Sequence, residues 1–213
     1  MATAETLLIV AAESRELAGL LRRTGPGAPV ESPARFAREV RLRGRRAVLI
    51  ANGPGPRLVR QALAENVWKK WNVTQLISAG FCGALDPELR VGDIVTDGIW
   101  SQDRVATTAE QKRQLRERTG ARVVEMEYAA VVAVASSWGL PCRAAKVVSD
   151  TAQEDLPLDF NQYRDQEGRF QSPRIALAGM LRPFSTLPAL LRLNRNSKLA
   201  AEKLGAFLAD CKF

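Results

Sequence analysis

The sequence predicts a three-layer α/β sandwich, with a central mixed, largely parallel β-sheet flanked by helices. Three observations predict it. Short apolar runs alternate with amphipathic, helix-period stretches along most of the chain. Turn-forming Gly and Pro residues punctuate the boundaries. The 213 residues, 46% of them hydrophobic, suffice for a full core without disulfides or a structural metal. With no internal repeat and no linker, residues 1–213 read as one domain.

The elements follow in order. LLIVAA (7–12) reads as a buried strand and 13–23 as the helix after it. Residues 24–35, rich in Gly and Pro, form a loop, and EVRLRG (39–44) alternates like an edge strand or hairpin arm. AVLIANG (47–53) is a second buried strand, and Pro56 opens a helix running to about residue 71. QLISAG (75–80) is a third strand and 89–95, interrupted by Gly92, a fourth. TAEQKRQLRERT (108–119) is a charged helix stopped by Gly120, its run from Lys112 to Arg118 a solvated face. ARVVEM (121–126) is a short strand. Residues 128–138 form a buried helix ended by Gly139-Leu140-Pro141. RAAKVVSD (143–150) is the last strand, 151–173 a polar segment without a clear element, and 173–210 a helical region broken near Pro183.

Composition excludes several functions. The chain has no histidine, so Ser-His-Asp and Cys-His catalysis and His-ligated zinc are ruled out. Acid-base work falls to Asp, Glu, Lys, Tyr or Cys. Cys82, Cys142 and Cys211 form no metal or disulfide pattern and fit a reducing cytoplasm. No apolar run reaches the roughly 20 residues of a membrane span, and the start lacks the basic region of a secretory signal. The net charge of +8 raises nucleic acid as a partner, but the few aromatics are not interleaved with basic runs, so no nucleic-acid binding is expected.

Ligands of open α/β sheets sit beyond the carboxyl ends of the strands. Those ends carry Glu13-Ser14-Arg15-Glu16, Asn52-Gly53-Pro54-Gly55, Gly80-Phe81-Cys82-Gly83, Glu125-Met126-Glu127 and Ser149-Asp150. Carboxylates around glycine turns point to a pocket for a polar small molecule handled by acid-base chemistry.

The order SAGFCGALDPELRVGDIV, VVEMEYAAVVAVASSWGLP, AAKVVSD resembles the purine nucleoside phosphorylase and methylthioadenosine/S-adenosylhomocysteine nucleosidase superfamily. The short basic helix, the SD-x-A-x-x-x-LP pattern at 149–157 and the tail RPFSTLPALLRLNR resemble its hopanoid-associated phosphorylase subgroup. The resemblance implies cleavage of the N-glycosidic bond of an adenosine-type nucleoside, by phosphorolysis of adenosylhopane in hopanoid lipid synthesis. The alternatives are a hydrolytic methylthioadenosine/S-adenosylhomocysteine-type nucleosidase and a non-catalytic nucleoside-binding module. No cofactor is implied, inorganic phosphate being a co-substrate if the reaction is phosphorolytic. A homo-oligomer is implied as well.

By the same resemblance Asp150 is the general acid that protonates the departing purine, with burial raising its pKa and Ser149 orienting it. Glu127 holds the ribose hydroxyls, Met126 packs on the sugar, and Gly80 and Phe81 belong to the substrate pocket. Strand-end alignment assigns the base to Glu16, and a slide of a few residues assigns it to Glu13. The phosphorylases' Gly-Asp-Pro-x-Arg motif is missing, so any phosphate falls to Arg15, Arg57 and the amides of Gly53 and Gly55. Without the resemblance, Asp150 reads as a helix cap and Glu127 as a first-turn carboxylate. From Gln171 to Phe213 there are seven basic and two acidic residues. That tail reads first as an amphipathic helix packed on the sheet, and second as a surface for anionic lipid at the inner membrane face.

Overall fold

The computed structural model describes residues 5–64, 67–181, 184 and 186–211. β1 (Thr6–Ala11) leads through a 3-10 turn over Ser14–Leu17 into α1 (Ala18–Thr24). β2 (Ala28–Pro29), β3 (Phe36–Leu42) and β4 (Arg45–Ala51) follow, then α2 (Pro56–Ala62) and α3 (Val67–Trp71). β5 (Val73–Ala84), β6 (Ile94–Val95), β7 (Ile99–Ser101), α4 (Ala109–Thr119) and β8 (Val123–Glu125) make the middle of the chain. α5 (Tyr128–Ser137), β9 (Cys142–Asp150), a 3-10 turn over Phe160–Tyr163, α6 (Ser172–Met180) and α7 (Thr186–Asp210) complete it.

The sheet is mixed, as the sequence predicts. Its main path runs β2-β3-β4-β1-β5-β8-β7, with β9 pairing β5 and β6. The four strands β4, β1, β5 and β9 are mutually parallel where they pair. Their middles are largely apolar because both faces are covered. In β1, Leu7, Ile9 and Ala11 pack toward α1 and α7, while Leu8 and Val10 pack toward α2 and α5. The period-2 alternation thus feeds two cores from one strand. α1 and α7 dock so closely that a Cβ on Gly19 would lie 2.0 Å from the Ala201 carbonyl oxygen.

β5 positions the site. Residues 73–78 pair β1, residues 76–83 pair β9, and the last two residues, Gly83 and Ala84, pair β8 antiparallel. The register with β9 shifts at Cys82/Gly83, so the ends of β1, β5, β8 and β9 converge around one glycine-rich bend.

Several boundaries differ from the sequence reading. The fourth strand shrinks from 89–95 to Ile94–Val95, because Gly92 turns with φ +95° and the Arg90 amide bonds the Asp93 carboxylate. The Gly92 and Asp93 backbones still lock onto Val148 of β9. β7 was not expected; its first and last residues are only half-buried. The 24–35 loop contributes the short edge strand β2. The helix expected over 56–71 is two, α2 and α3, with residues 65–66 outside the described set. Gly120 stops α4 with φ +68°, as expected. α6 and α7 flank the break expected near Pro183, a residue outside the described set. No described helix is long and apolar enough to cross a membrane.

Candidate active site

A cavity of about 560 Å³ opens at the converging strand ends, roomy enough for a nucleoside-sized ligand. Glu13, Glu16, Met126, Glu127, Ser149 and Asp150 contribute to its lining. Five of them are buried, and Glu13 is half-buried at the rim.

Glu16 reaches the lining from the 3-10 turn after β1. Its Oε2 accepts the amides of Ala12 (2.8 Å) and Glu13 (3.0 Å), and its Oε1 accepts the amide of Phe81 (3.0 Å). Burial raises its pKa, against the lowering effect of these backbone hydrogen bonds. Gly80, at φ +136°, backs it: a Cβ there would sit 2.9 Å from Glu16 Oε2. The sequence placed Gly80 in the substrate pocket, but it does not line the cavity, and its bare backbone makes room for the carboxyl. Of the two candidate bases, Glu16 is therefore the buried one. Glu13 is turned to Arg15, 2.7 Å away.

Glu125 and Glu127 leave β8 on either side of Met126. Glu125 accepts the Ser101 hydroxyl (2.5 Å) and the amides of Glu127 (2.9 Å) and Tyr128 (2.9 Å). Lys146 Nζ, fully buried in β9, lies 2.7 Å from its Oε2. Burial alone would raise the Glu125 carboxyl; the Lys146 charge and the hydrogen bonds outweigh it and hold the carboxyl below its usual value. Burial would likewise lower Lys146, but Glu125 and Glu127 outweigh it and raise the ammonium. Glu127 has no such partner. Its Oε1 accepts the Gly55 amide at 2.7 Å, and burial followed by repulsion from Glu125 pushes it up to about 8. One buried cation therefore serves a cluster of carboxyls, and Glu127 is protonated at neutral pH.

Asp150 ends β9 at the cavity wall. Ser149 Oγ donates to its Oδ1 (2.7 Å), with the Cys82 carbonyl 3.2 Å away as a second acceptor. Lys112 Nζ, fully buried, lies 2.6 Å from Oδ2. Its other two donors go to the carbonyls of Thr151 (2.7 Å) and Glu154 (2.9 Å). The sequence put Lys112 on a solvated face; the structure puts it inside. The expected capping role is not used, since no helix of the described residues starts at Asp150.

The turn expected to cradle phosphate is otherwise engaged. The Gly53 amide donates to the Ala12 carbonyl (2.7 Å) and the Gly55 amide to Glu127. Arg57 is exposed, reaches the Gln166 carbonyl (3.4 Å) and does not line the cavity. Arg15 does line it, as does Arg104, which the sequence reading missed. Phe81 forms wall, as expected.

The rest of the lining is mainly apolar. Leu156, Phe160 and Phe170 from the segment read as featureless meet Ile175 of α6 and Leu187 and Leu190 of α7. Two buried lysines also escaped the sequence reading, though each left a trace. Lys146 interrupts an otherwise apolar run, AAKVV, and a buried lysine needs a partner. Lys112 shares a helix face with Leu115, three residues on.

A cavity at the strand ends of an α/β sheet lies where folds of this kind bind small molecules. The sequence model of the Phosphorylase superfamily matches residues 6–96 and 98–178, so the chain belongs to that superfamily. Among solved structures, S-adenosylhomocysteine nucleosidase from Streptococcus pyogenes aligns with a TM-score of 0.69 at 16% identity, over 100% of this chain and 99% of that one. Futalosine hydrolase of Helicobacter pylori aligns at 0.68 and 14% identity, over 96% of both chains. The 5′-methylthioadenosine/S-adenosylhomocysteine nucleosidase from Neisseria meningitidis aligns at 0.63 and 21%, over 94% of this chain and 99% of that one. At these identities the likeness shows the fold. Comparison with curated sequences finds no match.

Two predictions follow from the buried charges. Unfolded Glu127 ionises above its ordinary value of 4.5, whereas the folded carboxyl holds its proton to about 8. Its stabilising effect is thus complete at low pH and is lost as pH rises through that window. Glu127→Gln cannot ionise, so relative to wild type it gains about 1.4 kcal/mol per pH unit across the window. Urea denaturation at several pH values reads this, and parallel pH profiles contradict it. Lys112→Met strands the Asp150 charge and lowers stability by about 3–5 kcal/mol, whereas the double variant Lys112→Met/Asp150→Asn recovers part of that loss. Additive losses contradict the pairing.

Proposed function

We propose that this protein cleaves the N-glycosidic bond of an adenosine-type nucleoside that carries a large apolar group on its 5′ carbon. The observation that carries the reading is the mixed lining of one cavity, with carboxyls from the strand ends and a mainly apolar set of side chains from α6 and α7. Adenosylhopane, which the sequence resemblance implies, has this chemistry. The nucleosidases among the structural neighbours support the same class of bond.

Breaking the bond leaves positive charge on the ribose and an electron pair on the purine. Asp150 delivers the proton that makes the purine a good leaving group. Lys112 and Ser149 hold its two oxygens. Both Asp150 oxygens accept hydrogen bonds, so the proton passes from Lys112 Nζ to Oδ2 and on to the purine, leaving Lys112 neutral and Asp150 a carboxylate. The two N–H groups left on Lys112 still have the Thr151 and Glu154 carbonyls. Glu127 spends Oε1 on the Gly55 amide and has Oε2 for the ribose hydroxyls, with Met126 against the sugar.

Water is the nucleophile the carboxyls favour. Burial brings Glu16 closer to neutrality, which suits a general base. Phosphorolysis is the second reading, supported by Arg15 and Arg104 at the cavity; the carboxyls of Glu13, Glu16, Glu125 and Asp150 in the same lining oppose a bound dianion. We place the enzyme in the cytoplasm as a homo-oligomer that meets its substrate at the inner membrane surface.

Asp150→Asn lowers turnover by about 10²–10⁴-fold, while adenine still raises the melting temperature. Unchanged turnover removes Asp150 as the acid. Chromatography of products from an adenosine derivative, with and without phosphate, separates the readings. A free sugar in both supports water, and a phosphate-dependent sugar 1-phosphate supports phosphorolysis. Adenine binding with no product from any derivative overturns catalysis.

A further inference from the structure

The large exposed apolar side chains gather at the turn between α6 and α7. Phe184 is 97% exposed, Leu181 74%, Met180 62%, Leu191 54% and Leu177 52%. This is unlike the far half of α7, where Ala200, Ala201, Leu204 and Leu208 are buried and the expected amphipathic packing is found. Exposed large apolar groups that cluster mark an interaction surface. Met180 and Leu191 also line the cavity, so the patch is continuous with the apolar lining of the site.

Its exposed helix faces carry cations, while Asp155 and Asp159 share a groove with Leu181 and Glu154 pairs Arg192. Arg174 shares an exposed face of α6 with Leu177 and Leu181, at helical spacings of three and seven. Arg195 and Lys198 extend the exposed face of α7 that begins at Leu191, at spacings of four and seven. The two acidic residues of the tail lie elsewhere: Glu202 pairs Arg22 and Arg23 of α1, and Asp210 pairs Arg43. Two copies joined face to face here would oppose like charges, which disfavours self-association and favours an anionic partner.

We propose that the α6–α7 turn docks on an anionic phospholipid bilayer, with Phe184 and Leu181 entering the interface and Arg174, Arg195 and Lys198 on the headgroups. Docking there presents the apolar lining of the cavity to the lipid phase. A substrate with a membrane-soluble 5′ group then passes from bilayer to site without crossing water. This deepens the substrate reading above and rests on it for its purpose, but the docking itself rests on the surface alone.

The test is co-sedimentation of the full chain with vesicles of phosphatidylglycerol and phosphatidylcholine, against phosphatidylcholine alone, at low and high salt. Binding to the anionic vesicles is expected, weakening with salt. Phe184→Asp lowers the partition coefficient by about tenfold or more and Lys198→Glu by about fivefold or more. Both variants keep the melting temperature and the turnover of a water-soluble adenosine derivative, which reads the glycosidic chemistry independently. Absence of binding at low salt overturns the proposal. So does binding that Phe184→Asp leaves intact, and so does a wild-type dimer that this variant splits in light scattering.

Discussion

One buried cation organises the floor of this site. Lys146 sits in the middle of β9, where the strand is covered on both faces and water is excluded. An isolated ammonium there would be untenable, and so would the carboxyls around it. Glu125 takes the ion pair directly and passes its effect on: fixed by Lys146, Ser101 and two amides, it orders the first turn of α5 and sets Glu127 beside the cavity. Glu127, without a cation of its own, spends one oxygen on the Gly55 amide and keeps the other for a ligand.

The backbone makes this cluster possible. The bend in β5 brings four strand ends together, and Gly80 leaves space for Glu16 to lie against the strand. At the other wall a second buried lysine, Lys112, arrives from α4 and ties Asp150 to the carbonyls of the following turn. Two lysines on two elements therefore hold carboxyls at two sides of one cavity. The α6–α7 region closes that cavity with apolar side chains and carries the same apolar character outward to the surface. Polar groups inside and an exposed apolar surface outside belong to one continuous wall.

Much of this was legible in the chain. Apolar strand runs announced a sheet covered on both faces, and their polar ends gathered Glu13, Glu16, Glu125, Glu127 and Asp150 as candidates, with the choice between Glu13 and Glu16 left open. Short motifs recorded the backbone well where glycine or proline dictated it, as at Gly120. The partners of the carboxyls were less visible, because pairing depends on tertiary contacts. Lys112 in a run of charged residues looks like any surface lysine, and only its spacing to Leu115 hints otherwise. The turn amides of Gly53 and Gly55 looked available for an anion; their engagement by Ala12 and Glu127 depends on elements far away in sequence. The tail was half legible. Leu204 and Leu208 pack as an amphipathic helix should, while Leu187, Leu190 and Leu191 line a cavity that needs α6 and the 151–173 segment to exist.

The most direct test of this organisation removes the central cation. Lys146→Met keeps the volume and deletes the charge. Its unfolding free energy is measured by urea denaturation at mildly acid and mildly alkaline pH. A loss of about 3–5 kcal/mol in alkali, shrinking in acid where the stranded carboxyls take up protons, is predicted. A loss that is the same at both pH values, or no loss at all, contradicts it.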